Sequence, residues 1–174
     1  MPSPRRGAAL ALALVASTAA CTSYKLAEPH HESPRAETLA PAQLAKVCVV
    51  RTSAMAMAVT FPTRDNDVLV GATRGPTYFC YHAEPGEHRI TIEADEPEHA
   101  VLRAEAGHTY VLKQEVDNVF GYVKCRAVWV DPAEGAKLFA DAEHQVLVGV
   151  PGSERLPGHA PVAPARSAST SSSR

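Results

Sequence analysis

The stretch His88-Arg89-Ile90-Thr91-Ile92-Glu93-Ala94 decides how this chain folds. Ile90, Ile92 and Ala94 fall on one side, and Arg89, Thr91 and Glu93 on the other. A period of two marks a strand with one face in a core and the other in water. The same signal recurs on both sides of it. Downstream, Asp95 to Pro97 turns the chain, and Ala100 to Glu105 is a short strand ending near Gly107. Thr109 to Val116 puts Tyr110, Leu112 and Val116 on one face. Tyr122 to Val130 sets Val123, Cys125, Ala127 and Trp129 against Lys124 and Arg126. Upstream, Glu84, Pro85 and Gly86 make a turn, preceded by candidate strands at Thr77 to His82, Asp67 to Ala72, Ala56 to Phe61 and Lys46 to Arg51. A single short helix is expected from Pro132 to Asp141. Asp131 caps it, Pro132 suits its first position, Glu134 completes a capping-box-like pattern, and Gly135 limits its length. Val146 to Val150 is a closing strand. Seven or eight short strands spaced by turns predict a mainly β fold, a small antiparallel β-sandwich with one short C-terminal helix, flanked by flexible tails.

The composition outside that core sets the domain boundaries. Residues 1–20 read as a signal peptide, 21–44 as a tether, 45–150 as the sandwich and 151–174 as a disordered tail. Arg5 and Arg6 precede the unbroken apolar run Ala8 to Ala16, and small residues lead to Cys21. That order is the layout of a secretory signal, and the run is too short for the roughly 20 residues a membrane span needs. The tether holds Pro29, Pro34 and Pro41, and extended it could reach tens of Å from a membrane at ~3.3 Å per residue. The tail is interrupted by Pro151, Pro157, Pro161 and Pro164 and ends in a Ser-rich run. The formal charge of the whole chain is −2. Loss of the signal removes two arginines and no acid, which leaves no basic face for a nucleic-acid backbone.

Thr18-Ala19-Ala20-Cys21 resembles the lipobox of bacterial lipoproteins, with Thr18 where Leu is usual. The resemblance implies cleavage before Cys21, acylation of its thiol and new amino terminus, and a membrane-lipid partner. Thr22 rather than Asp follows the cysteine, which by resemblance to the enterobacterial sorting rule implies the outer membrane, facing the periplasm. Ordinary cleavage after Ala20, leaving Cys21 as a disulfide partner, is the competing reading.

Four features mark the domain: Val47-Cys48-Val49-Val50-Arg51, a Gly-containing hairpin from Asn66 to Phe79, Pro85-Gly86-Glu87-His88 leading into Ile90, and Ala106-Gly107-His108-Thr109-Tyr110 leading into a strand. In that order, across Val47 to Leu138, the chain resembles an uncharacterised family of bacterial lipoproteins, a domain of unknown function with transthyretin-like or PEGA-like organisation. The resemblance implies a fold and a location and no reaction.

With Cys21 lipidated, Cys48, Cys80 and Cys125 remain as disulfide candidates, all within apolar strands. Three cannot all pair, so one disulfide that includes Cys48 and one leftover thiol are expected. No C-x-x-C spacing points to zinc. His88 and His108 follow turn glycines and read as exposed; His82 with His88 across a hairpin is the nearest approach to a metal site. No G-x-S-x-G elbow surrounds Ser53 or Ser153. Glu93 with Asp95, and Glu96 with Glu98, read as a solvated acidic rim. Tyr78 is a candidate exposed partner anchor. The expectation is therefore a non-catalytic, membrane-anchored envelope lipoprotein without cofactor or metal, holding an envelope protein or peptidoglycan. A periplasmic small-ligand or metal-binding module and an unrecognised hydrolase are the alternatives.

Overall fold

A computed structural model of the protein describes residues 24–29, 42–150 and 162–166. Its strands are β1 (Lys25–Leu26), β2 (Ala45–Arg51), β3 (Thr60–Asp65), β4 (Val68–Arg74), β5 (Thr77–Ala83), β6 (Gly86–Ile92), β7 (Glu98–Ala104), β8 (Thr109–Val119) and β9 (Tyr122–Val130). The helix α1 (Pro132–Ala140) follows, then β10 (Glu143–His144), β11 (Leu147–Gly149) and β12 (Val162–Ala163). Two sheets face each other. One has the order β4-β3-β6-β7 and is antiparallel throughout; the other runs β10-β5-β2-β8-β9. The mainly β sandwich with one short helix is the fold that the alternation implied. The larger sheet is mixed, because β2 and β8 pair in parallel at its centre, Val47 opposite Tyr110.

The core lies between the sheets. Val47, Val49, Phe79, Tyr81, Leu112 and Val116 meet Phe61, Ile90, Ile92, Ala100 and Leu102, all buried. Side chains of opposite parity on the larger sheet, Val50, Tyr78 and Val111, form a second cluster with Leu138 and Phe139 of α1. Asp131 caps the helix, accepting from the Ala133 and Glu134 amides at 2.9 and 3.0 Å. Gly135 is the buried residue of α1; a Cβ there would lie 2.7 Å from Val111 Cγ2, so glycine is what lets the helix backbone approach the sheet.

The bounds of β3 and the connection of β4 to β5 differ from the expectation, each for a physical reason. The second strand starts at Thr60, not Ala56, because residues 55–58 form a turn with Ala56 at φ 53°. It runs on through Pro62, a residue that usually argues against an interior strand. Pro62 fits because the paired register of β3 with β6 begins at Thr63, and the Pro62 carbonyl accepts from Glu93 N beyond the end of β6. The segment Asn66 to Phe79 is not a hairpin: β4 and β5 belong to different sheets, and the chain crosses between them at Gly75 (φ 65°) and Pro76.

Two short stretches inside the segments assigned to tether and tail lie on the fold. β1 pairs with β11, the Gln145 side-chain amide donates to the Ala27 carbonyl, and Tyr24 sits beside Arg64. β12 pairs with β5 at His82 and Ala83, burying Ala163 completely. Two residues paired with an existing strand need no periodicity of their own, so composition alone does not reveal them.

Candidate functional site

The cysteines divide. Cys48 and Cys80 stand directly opposite on antiparallel neighbours β2 and β5, with Cα atoms 4.0 Å apart, and are joined in a disulfide. Cys125 is free and 6% exposed. Burial first, and then the charge of Glu98, push its thiol up to about 12 against a smaller opposing pull from Arg51. A thiol held protonated is a packing group, not a nucleophile. Cys21 lies outside the described residues.

The strongest polar constellation is one the sequence reading placed on the surface. His88 is 1% exposed. Its Nδ1 lies 2.8 and 2.9 Å from the two Asp65 carboxylate oxygens, and its Nε2 lies 2.7 Å from the Glu84 carbonyl. Both ring nitrogens face acceptors, so both donate and the ring is an imidazolium. Burial works against that charge, but the Asp65 hydrogen bond, the Glu84 carbonyl and the Asp65 charge outweigh it and raise the His88 pKa. Tyr81, on the facing sheet, donates its hydroxyl to Asp65 Oδ2 at 2.8 Å; burial first, then Asp65, lifts that phenol well above its ordinary value. The cluster resembles a catalytic relay in composition only. Its members lack access to solvent, and His88 has no lone pair left for a proton or a metal. The conceived His82–His88 metal pair therefore loses His88. The signal for burial was present: His88 shares the parity of Ile90 and Ile92.

The cluster closes one end of the sandwich, and neighbouring groups tie that end together. The Asn66 side chain donates to the Glu87 and Pro164 carbonyls and accepts from the Arg89 amide. Arg166 N donates to Glu87 O, and the Ala165 amide to Glu84 Oε2.

The opposite end is organised by Arg51, which is fully buried without a carboxylate. Its guanidinium donates to the Val59, Met55 and Ala56 carbonyls and lies 4.6 Å over the Phe61 ring. A planar fork can hold three carbonyls and a ring at once, so Arg51 moulds the loop from Thr52 to Val59. That loop exposes Met55, Met57 and Val59. At the same end, β8 runs beyond its last β2 partner, Lys113, to the hairpin tip Phe120-Gly121. Phe120 is 100% exposed at φ 52°, with exposed Tyr122 beside it.

The acidic rim is specifically partnered. Glu93 pairs with Arg64 at 2.6 Å, Asp95 accepts from Val123 N, Glu96 pairs with Lys124 at 3.3 Å and Glu98 accepts from Ala127 N. A cleft of about 370 Å³ between Glu96, Glu98, Asp117, Lys124 and Arg126 is also lined by Cys125, whose burial keeps the thiol protonated and unreactive. A second groove of about 360 Å³ lies between Leu26–Pro29, Met57 and Arg74–Thr77. Among the described residues, no three His, Cys, Asp or Glu side chains gather as a metal site. His108 is exposed as expected. Tyr78 is 6% exposed, with its ring 4.8 Å from Phe139 and 5.1 Å from His144, so it is a packing residue and not a partner anchor. No family model, curated protein or solved structure matches this chain.

Proposed function

We propose that this protein is an exported lipoprotein, anchored through acylated Cys21, whose sandwich serves as a non-catalytic binding or structural module of the cell envelope, outer membrane and periplasm being the expected setting. One observation carries the reading: Cys48 and Cys80 are joined to each other and Cys125 is buried and unpaired. A disulfide between sheet neighbours suits an oxidising, extracytoplasmic compartment. It also leaves Cys125 as the one unpaired thiol among the described residues, and its burial makes it a poor partner for Cys21, which favours acylation over ordinary cleavage. The signal layout of Arg5-Arg6, the apolar run and Thr18-Ala19-Ala20-Cys21 supports the same conclusion. The order of turns that resembles the uncharacterised lipoprotein family agrees with it.

Intact mass of the protein extracted from membranes, alkylated in denaturant with and without reductant, tests this. The expected species begins at Cys21 and is heavier by acyl groups. It takes one alkyl group before reduction, at Cys125, and three afterwards. An unlipidated chain with Cys21 in a disulfide would overturn the proposal.

A further inference from the structure

The edge of β5 away from β2 is filled in two pieces. β10 pairs with it at Thr77 and Tyr78, and β12 at His82 and Ala83, both in parallel. The second piece is held as a bound peptide would be, by its main chain. The Glu84 amide donates to the Ala163 carbonyl at 2.9 Å, and the Asn66 side-chain amide to the Pro164 carbonyl at 2.8 Å. The Ala165 amide donates to Glu84 Oε2 at 3.3 Å, and the Arg166 amide to the Glu87 carbonyl at 3.0 Å. Proline has no N–H to offer at 164, and these bonds ask for none there.

Two side chains of the segment, Ala163 and Ala165, turn toward the domain at the spacing of alternate strand positions. Ala163 is completely buried in the core between the sheets. Ala165 lies against Gly86, where a Cβ would come within 2.6 Å of the alanine methyl, so the domain is cut back at the point of closest approach. Pro164 and Arg166 are exposed. The groups that grip the segment are themselves fixed from behind. Asn66 accepts from the Arg89 amide and donates to the Glu87 carbonyl, and the Glu84 carbonyl accepts from His88 Nε2. Main-chain bonds for attachment and pockets for alternate side chains are the pattern of strand addition at a sheet edge. Against this built receptor the segment brings little: of residues 163–166, Ala163 alone is completely buried. So few buried apolar contacts set it among the parts of a fold that open before the core does.

We infer that the β5 edge with Asn66, Glu84 and Gly86 is a strand-addition site for a peptide, that residues 162–166 fill it as a displaceable intramolecular ligand, and that the partner it fits is an extended segment with alanine-sized residues two apart and proline between them. This rests on the reading of the sandwich as a binding module and does not depend on the acyl anchor. The chain's own segment shields the edge until a partner of the same pattern takes its place. The core closes round Ala163, so that position selects against a larger side chain.

The test uses the full chain carrying Ala163→Asp, which puts a carboxylate in place of the buried methyl and expels the segment from its own site. A fluorescently labelled peptide of residues 161–167 is titrated into this chain and into the unsubstituted one, and its anisotropy is followed. Saturable binding to the Ala163→Asp chain is expected, and none when the peptide itself carries Ala163→Leu. Binding to the unsubstituted chain should be at least about tenfold weaker, because the intramolecular segment competes at a high effective concentration. An Ala163→Asp chain that melts cooperatively yet binds no peptide would overturn the inference, as would equal binding of the Ala163→Leu peptide. Hydrogen exchange on the unsubstituted chain decides the matter if that variant does not fold. The Ala165 and Arg166 amides should exchange at least about tenfold faster than the amides that join β5 to β2. Exchange at the same rate would make β12 an integral strand and overturn the inference. Peptide binding by a protein whose mass lacks acyl groups would overturn the anchor alone.

Discussion

The two ends of the sandwich are built from opposite chemistry. At one, Asp65, His88, Tyr81, Asn66 and Glu84 close a buried network onto which Pro164–Arg166 is fastened. At the other, a single buried cation shapes a loop whose methionines and valine face outward, and a hairpin lifts a bare phenylalanine into solvent. Asp65, His88, Tyr81 and Asn66 at the first end find hydrogen-bond partners within the protein; apolar groups at the second stand exposed. The first end holds the fold together through buried polar contacts, and the second leaves its apolar side chains exposed.

Removing Asp65 strikes the stabilising end hardest. Asp65→Asn leaves an imidazolium and a phenol buried without their carboxylate, and deleting one member of a buried pair costs about 3–5 kcal/mol. Urea unfolding should show a loss of that order; a loss under 1 kcal/mol would mean that water relieves the cluster. Raising the pH reaches the same pair without mutation. Because His88 is raised in the fold, its contribution is complete below the unfolded value near 6.5 and is lost as pH climbs through the folded value. The melting temperature should fall as pH rises from about 6.5 through the raised folded value, and His88→Gln should flatten the slope. Arg51→Met tests the other end. It removes donors from three carbonyls that the loosened loop can offer to water, so the expected cost is about 1–3 kcal/mol, with new proteolytic cleavage between residues 52 and 59. Arg51→Lys should not restore protection, since an ammonium lacks the planar fork. Phe120→Asn is the smallest change and has the opposite sign: it should stabilise the domain by up to about 1 kcal/mol. A destabilised Phe120→Asn would mean that the ring packs within the domain.

How much of this was legible depends on what each residue answers to. β9 and α1 follow local rules, alternation for one and the Asp131–Pro132 cap for the other, and the alternation of Arg89 to Ala94 located β6. The β3 start and the β4–β5 crossing depend on backbone turns at Ala56 and Gly75, whose conformation is decided by the whole fold. The buried cluster was missed: the turn glycine before His88 suggests exposure, although the residue shares the parity of Ile90 and Ile92, and its partners come from two other strands and a loop. Nothing local announces that Asp65 and Tyr81 will meet. Arg51 was visible as the end of an apolar strand, yet its three carbonyl acceptors belong to an irregular loop without a sequence signature. The two-residue strands β1 and β12 carry no pattern at all.

The parallel ladder at the centre of the larger sheet has a kinetic side. β2 and β8 are neighbours in space, yet β3 to β7 must all be threaded between them before Val47 can face Tyr110. Long-range pairing of this kind slows folding, and until β8 arrives, one edge of an apolar strand stands open to other chains. The Cys48–Cys80 bond changes that geometry. Cys80 stands about midway between Cys48 and Val111, the residue Cys48 must meet across the ladder. Once the bond forms, the loop to be closed is roughly halved, which lowers its closure entropy by about 0.6 kcal/mol. Oxidation would then act as an assembly clock, holding the first half of the sheet in register while the second half is still on its way.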